Sequence, residues 1–142
     1  MKELYNQLFQ NHVTKNNVSY TYMDSIQRDL AIGSWEVNLQ NNEVTWSAMT
    51  KTIHEVEQDY NPSLEEGINF FLEGYDRELI SILFNRAVKK QESYDREVQL
   101  KTAKNNTKWV RIVAYPVIQN DATQKVIGFI HAITENNKTF LD

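Results

Sequence analysis

The 142-residue sequence contains no cysteine, only 2 prolines and only 4 glycines. Without cysteine the chain can form no disulfide, no cysteine-based metal site and no thiol nucleophile. This fits the reducing cytoplasm, which is the compartment we expect. No stretch reaches the roughly 18 apolar residues of a membrane span, so we expect no membrane insertion in this segment. The net charge of −4 argues against nucleic acid as a partner.

The motifs of common enzymes are also missing. The chain has no glycine-rich phosphate loop, no His-Glu-x-x-His pair and no nucleophile elbow. A small cone-shaped α+β enzyme of the ketosteroid-isomerase kind would need an inward Asp or His pair and a longer N-terminal helical layer, and neither is evident. We therefore expect no catalytic residue, no metal site and no enzymatic activity in the domain itself.

Three apolar, β-branched and aromatic runs fill the C-terminal third, at residues 93–103, 108–118 and 125–134. Short polar segments at 104–107 and 119–123 separate them, and their composition favours turns. Runs joined this closely must pair antiparallel, because a parallel crossover needs about a dozen residues or more. The sequence therefore predicts an antiparallel meander at this end of the chain.

The remaining sequence is mainly helical in its spacing of apolar residues. Periodicity predicts helices over 2–12, 20–30, 47–55, 64–72 and 76–90, and a hairpin joins 34–39 to 43–46. Ser63 and Glu66 fit a capping box at the start of the fourth helix. Helices followed by a meander predict an α+β fold with its helices on one face of a sheet.

Five short motifs occur in order between residues 30 and 135. They read IGSWEVN at 32–38, EVTWS at 43–47, YDREVQL at 94–100, KWVR at 108–111 and VIGFIHAITE at 126–135. In order and spacing they resemble the strands of PAS domains, although Ala132 replaces the family's closing Asp. The resemblance implies a five-stranded antiparallel sheet that encloses a small pocket with its short helices. It divides the chain into an N-terminal helical extension (1–30) outside the core, a PAS domain (31–135) and the start of an output linker (136–142).

The resemblance and the two-residue period of strands also assign the two faces of the sheet. The inward residues are either plain hydrophobic core or the wall of a ligand pocket, and the sequence leaves both readings open. The pocket candidates are Trp35, Val37, Phe70, Leu83, Val98, Leu100, Val110, Ile112 and Ile130. The outward face is apolar enough to require a cover, either the N-terminal helices or a second copy of the chain. It carries Trp109, Val113, Tyr115, Phe129 and Ile133.

We expect no cofactor. Light-sensing flavin members of the family need a cysteine, and haem-binding members commonly use a histidine on the long helix, which has none here. His54 and His131 are interpreted as surface or packing residues. A bound ligand should be small and mostly apolar or aromatic.

Two functions remain. The first is a sensory module of a larger regulatory protein, with a sensor histidine kinase as the expected context and the effector domain continuing past Asp142. The second is a ligand-free PAS-like module for dimerisation or interaction. A homodimer is expected in either case.

Overall fold

A computed structural model describes residues 30–133, which form a five-stranded antiparallel sheet in the order β2-β1-β5-β4-β3 with three helices. The α+β fold with a five-stranded antiparallel sheet is therefore confirmed. The helices predicted over 2–12 and 20–30 and the linker segment 136–142 lie outside the described residues. The strands are β1 (Ile32–Asn38), β2 (Glu43–Trp46), β3 (Tyr94–Lys101), β4 (Thr107–Gln119) and β5 (Ala122–Ile133), and the helices are α1 (Ala48–His54), α2 (Leu64–Asn69) and α3 (Tyr75–Lys90).

The register of the strands sets which side chains enter the core. Trp35 lies opposite Gly128, and Ile112 lies opposite Ile130. Because side chains alternate along a strand, these residues share the face that packs on the helices. Trp35 is 9% exposed, so the predicted register of β1 is confirmed. The core residues contributed by α1, α3 and the segment after α2 are Ile53, Phe71, Ile80, Leu83, Phe84 and Ala87.

The turn between β4 and β5 is shorter than predicted. Residues 119–123 were expected to form it, but β4 continues to Gln119 and β5 starts at Ala122. Asn120 and Asp121 both have positive φ, at 54° and 61°. Two such residues in succession make a tight hairpin whose twist matches that of the strands, so the ladder extends almost to its tip.

Helix α2 begins as predicted but ends earlier. Ser63 Oγ accepts a hydrogen bond from Glu66 N, and Glu66 Oε1 accepts one from Ser63 N, which confirms the capping box. The helix ends at Asn69 rather than at residue 72, because the next residues pair with the edge of β3. There Lys101 N donates to Phe70 O over 2.8 Å, and Leu72 N donates to Gln99 O over 3.0 Å.

Candidate functional site

A cavity of about 60 Å³ lies between the inner face of the sheet and the three helices. Four of the predicted pocket residues line it: Trp35 and Val37 on β1, Ile112 on β4 and Ile130 on β5. The cavity is small compared with the roughly 300–1,000 Å³ of sites for drug-sized ligands and cofactors. It has room for about three or four non-hydrogen atoms. The full lining is Trp35, Val37, Val44, Trp46, Thr50, His54, Leu64, Gly67, Ile68, Phe71, Ile80, Phe84, Tyr94, Ile112 and Ile130.

The other predicted pocket residues are in the core but not in the cavity wall. Val98, Leu100 and Val110 are 0–1% exposed, and Leu83 is also buried. Phe70 is half-buried and packs against the core from the segment after α2. These side chains belong to the hydrophobic core or pack against it. They point inward as predicted but do not line this cavity, and their contact with a ligand stays a prediction.

Several lining residues were not assigned to a pocket from the sequence. Val44 and Trp46 alternate on the inner face of β2, and Tyr94 starts β3 four residues before Val98 on the same face. The two-residue period could have identified all three. Thr50 and His54 carried no comparable signal, because polar residues at the end of a short helix are usually exposed.

Four aromatic rings pack together beside the cavity. The rings of Trp46 and His54 stack with centroids 4.0 Å apart and planes 25° apart. Phe70 meets His54 edge-on at 5.0 Å and lies 5.8 Å from Trp46. Tyr60 completes the group at 6.0 Å from Trp46 and 6.2 Å from Phe70. The cluster joins β2, α1 and the segments on both sides of α2.

His54 is a neutral packing residue. Its ring is 3% exposed, and its Nδ1 lies 2.7 Å from Thr50 O, which fits an Nδ1–H donor. Burial lowers its pKa to about 4, opposed by the Thr50 carbonyl and assisted by the positive charge of Lys108. The His54 imidazole in the cavity wall is therefore uncharged at neutral pH.

Helix α1 docks on β1 through a set of hydroxyl groups. Thr50 Oγ1 donates to Ser34 O over 2.8 Å, and Ser34 N donates to Ser47 Oγ over 2.9 Å. A Cβ on Gly33 would overlap Thr50. The absence of a side chain at Gly33 therefore permits the close approach that places Thr50 and His54 at the cavity.

Hydrogen bonds also connect the end of α1 to the turn between β3 and β4. Glu55 has positive φ and ends the helix, and its Oε1 accepts hydrogen bonds from Thr102 Oγ1 and Asn106 Nδ2, each 2.7 Å long. These two bonds lower the pKa of the Glu55 carboxyl. Lys108 Nζ donates to Ile53 O over 3.0 Å. One side of the cavity is thereby linked to the meander by polar contacts.

The outward sheet face is largely buried in a single copy of the chain. Phe129 is 0% exposed, Val113 3% and Ile32 2%, and Tyr115 packs against them. Trp109 and Ile133, which face each other on β4 and β5, are half-buried. Val113 and Phe129 are thus inaccessible in this structure, and the role of the face in dimer or helix packing stays a prediction. The N-terminal helices proposed as its cover lie outside the described residues.

Residues 30–133 contain neither a candidate metal cluster nor a candidate membrane-spanning helix. No cluster of three or more His, Cys, Asp or Glu residues could hold a metal ion there. Among the described helices none has the length and apolar character to cross a membrane.

Known structures with this arrangement are numerous, although no family model and no curated relative matches the sequence. The N-terminal domain of a diguanylate cyclase with a PAS/PAC sensor from Marinobacter aquaeolei is 15% identical, with a TM-score of 0.67 over 75% of this chain and 99% of that one. A sensory box histidine kinase/response regulator from Burkholderia thailandensis E264 is 17% identical, with a TM-score of 0.64 over 78% and 82% of the two chains. The PAS domain of a protein from Colwellia psychrerythraea is 15% identical, with a TM-score of 0.60 over 80% and 98%.

Proposed function

We propose that this chain, which has the PAS-domain fold expected from its sequence motifs, is a sensory module of a larger regulatory protein. The observation that carries the proposal is the largely apolar cavity between the sheet and the helices. A molecule bound there would contact β1, β4, β5 and α3 at once. Its binding free energy could therefore bias the position of these elements relative to one another, which is the physical requirement for a sensor.

We propose that the effector is a histidine kinase domain in the same polypeptide, downstream of the module. Two of the similar structures belong to a histidine kinase and a diguanylate cyclase, so the fold occurs in regulators of this kind. Strand β5 is the natural route for the signal because it lies at the centre of the sheet and contributes Ile130 to the cavity wall. A displacement of β5 would change the position of the segment that follows residue 133.

The alternative function, a ligand-free module for dimerisation or interaction, is favoured by the small volume of the cavity. A space of about 60 Å³ is within the range of packing defects as well as of small ligands. Native mass spectrometry of the purified chain separates the two functions. A retained small molecule supports the sensor, and a chain that never retains or binds one supports the alternative.

In both cases we propose that two copies associate through the end of the outward sheet face that a single copy leaves partly accessible. Trp109 and Ile133 are half-buried neighbours at one end of this face, and Ile133 adds apolar surface there. An apolar patch of this kind on a sheet is typical of an interaction surface. Such pairing would bring two output segments together.

The sensory function is tested in the protein encoded by the complete gene. Ile112→Phe fills the cavity, and Ile82→Phe places the same group on an exposed position of α3, where Ile82 is 55% exposed. We expect Ile112→Phe to change the effector's rate, for example autophosphorylation, by about fivefold or more. We expect no change for Ile82→Phe. Equal rates in both variants, or a gene without an effector domain, would contradict the sensor function.

A further inference from the structure

The cavity between the sheet and the helices is open to solvent on one side. Its lining residues on β1, β4, β5, α1 and α3 are buried, and so are Phe71 and Tyr94. The lining residues that keep some solvent exposure are all on β2, at the edge of the sheet, and on α2. The opening of the cavity therefore lies between these two elements. The partly exposed residues are Val44, Trp46, Leu64, Gly67 and Ile68.

The two sides of this opening differ in how they are held. On β2 the indole of Trp46 stacks on the buried ring of His54, with centroids 4.0 Å apart, and belongs to the four-ring cluster. Helix α2 has no buried residue, and α3 holds its C-terminal end, where Arg77 Nη2 donates to Asn69 O over 2.9 Å. Trp46 is therefore the fixed side of the opening, and α2 borders it from the surface.

Gly67 in α2 faces Trp46 across the opening. A Cβ on Gly67 would lie 3.7 Å from Cζ2 of Trp46 and would meet no other atom within 4 Å. Because residue 67 has no side chain, the space between the helix and the indole stays free. A longer side chain at this position would extend into that space. Residue 67 therefore determines how wide a group fits between α2 and Trp46.

The wall limits the chemistry of the group that can enter. It is apolar apart from Thr50, whose hydroxyl donates to Ser34 O, and His54, which is neutral. An apolar group gains free energy by burial there, whereas an ion would lose its hydration without a counter-ion. The volume holds about three or four non-hydrogen atoms. The polar end of a longer molecule therefore stays in the opening, in contact with water, and needs no hydrogen-bond partner inside.

We propose that the cavity takes the unbranched alkyl end of a small amphiphile, whose polar end stays in the opening between β2 and α2. Gly67, opposite Trp46, is the residue that excludes branched groups. This inference rests on the sensory function proposed above and specifies the ligand class of its site and the residue that selects it.

The test follows the binding of short alcohols by NMR in the 142-residue chain with ¹³C-labelled methyl groups. The Ile112 methyl signals report on the buried wall of the cavity, and those of exposed Ile118 report on contact outside it. With 1-butanol we expect only the Ile112 signals to shift saturably, with a dissociation constant in the millimolar range. 1-Propanol, with one CH₂ fewer to bury, should bind about fourfold more weakly. tert-Butanol, the branched isomer of 1-butanol, should bind about tenfold more weakly or worse, because it does not fit between Gly67 and Trp46.

Substitutions in α2 test the role of Gly67. Gly67→Leu places a branched side chain in the opening and should weaken the binding of 1-butanol about tenfold or more. Glu65→Leu adds the same side chain to α2 at an exposed position outside the cavity lining and should bind like the wild type. Gly67→Ala narrows the opening by one methyl group and should weaken binding about threefold. It decides the question if the Gly67→Leu protein does not fold.

Three outcomes are distinguishable. Saturable Ile112 shifts that weaken in the Gly67 variants and not in Glu65→Leu support the proposal. Equal affinities in the wild type and the Gly67 variants, or tert-butanol that binds as tightly as 1-butanol, overturn the selection by Gly67 and leave the sensory function standing. An absence of saturable shifts in the folded wild type overturns the ligand class. The sensory function itself is judged separately, by the effector rates of the Ile112→Phe and Ile82→Phe proteins.

Discussion

Gly128 lies where the sheet leaves no room for a side chain. A Cβ at this position would overlap the carbonyl oxygen of Val113 and would lie 2.7 Å from Cζ2 of Trp35. The indole can therefore pack against β5 at this point only because residue 128 has no side chain. Gly67 in α2 is different, because a Cβ there would meet only Cζ2 of Trp46, at an ordinary contact distance of 3.7 Å.

The two glycines give a matched pair of substitutions. We expect Gly128→Ala to lower the free energy of unfolding by about 1–3 kcal/mol, because the strand and the Trp35 ring must both shift. We expect Gly67→Ala to raise it by about 0.5–1 kcal/mol, because alanine is the better helix former and loses less entropy on folding. Urea denaturation of the two variants beside the wild type measures both changes. A harmless Gly128→Ala would mean that Trp35 does not cover β5.

His54 makes the stability depend on pH. Its pKa is about 4 in the folded chain and near 6.5 in the unfolded chain, so the unfolded chain binds more protons between these values. The free energy of unfolding should therefore fall as the pH decreases from about 6.5 to about 4, by roughly 3 kcal/mol in total from this residue. An NMR titration of the imidazole should place its midpoint near 4.

The His54→Gln variant isolates this contribution from that of the carboxylates. Glu55 and Glu66 also have lowered pKa values, so their contribution to stability is lost as the pH falls through the acidic range. The variant retains that loss and should lack the part between about pH 6.5 and pH 4. A wild-type imidazole that titrates near 6.5 would contradict the buried, neutral state of His54.

At the scale of elements, α3 is connected to the edge of the sheet by one carboxylate. Asp76 in the first turn of α3 accepts a hydrogen bond from Gln99 N of β3 at its Oδ2, over 2.8 Å. Asp76→Ala leaves this backbone donor without its partner, so we expect a loss of about 1–3 kcal/mol in the free energy of unfolding. Glu78→Ala removes an exposed acid from the same turn and should change it by less than about 0.5 kcal/mol. Similar losses in thermal or urea unfolding for both variants would show that helix charge, and not the contact with β3, is what matters.

The elements also show what can be predicted from the sequence. Period-two alternation sorted the strand residues into two faces, and the family resemblance indicated which face of β1, β3, β4 and β5 points inward. The capping box at Ser63 is equally local and was predicted. The early end of α2 was not, because Phe70 and Leu72 leave the helix to pair with Gln99 and Lys101, about 30 residues away.

The cavity was the least predictable part for the same reason. Its wall depends on how Trp46 and His54 stack across two elements, and no spacing rule encodes that contact. Tyr94 could be placed on the inner face, but its contact with the cavity depends on the packing of α3 against β3. The sequence of a strand is thus enough to predict which side chains face inward. Contact with a cavity depends in addition on how the sheet and the helices pack together.

At the scale of the whole molecule, the question is how two copies meet. The outward face cannot be tested at Phe129, because that side chain is fully buried in a single copy and a charge there would disrupt the fold. Ile133→Glu changes a half-buried position at the end of the same face, and Ile82→Glu is the control on exposed α3. We expect a wild-type dimer in sedimentation equilibrium, and a dissociation constant raised about tenfold or more by Ile133→Glu only. A wild type that stays monomeric up to millimolar concentration would contradict the association.

The β-bridge between Phe71 and Leu100 affects how readily this protein can aggregate through the edge of its sheet. It covers part of β3, which is one edge of the sheet, and the other edge is β2, only four residues long. A long, bare strand edge is a template on which other chains can add strands and aggregate. Here the segment after α2 shortens the free edge of β3, and β2 is too short to be a long template. We therefore expect copies of the chain that lie close together to join edge to edge less readily than copies with two bare edges would.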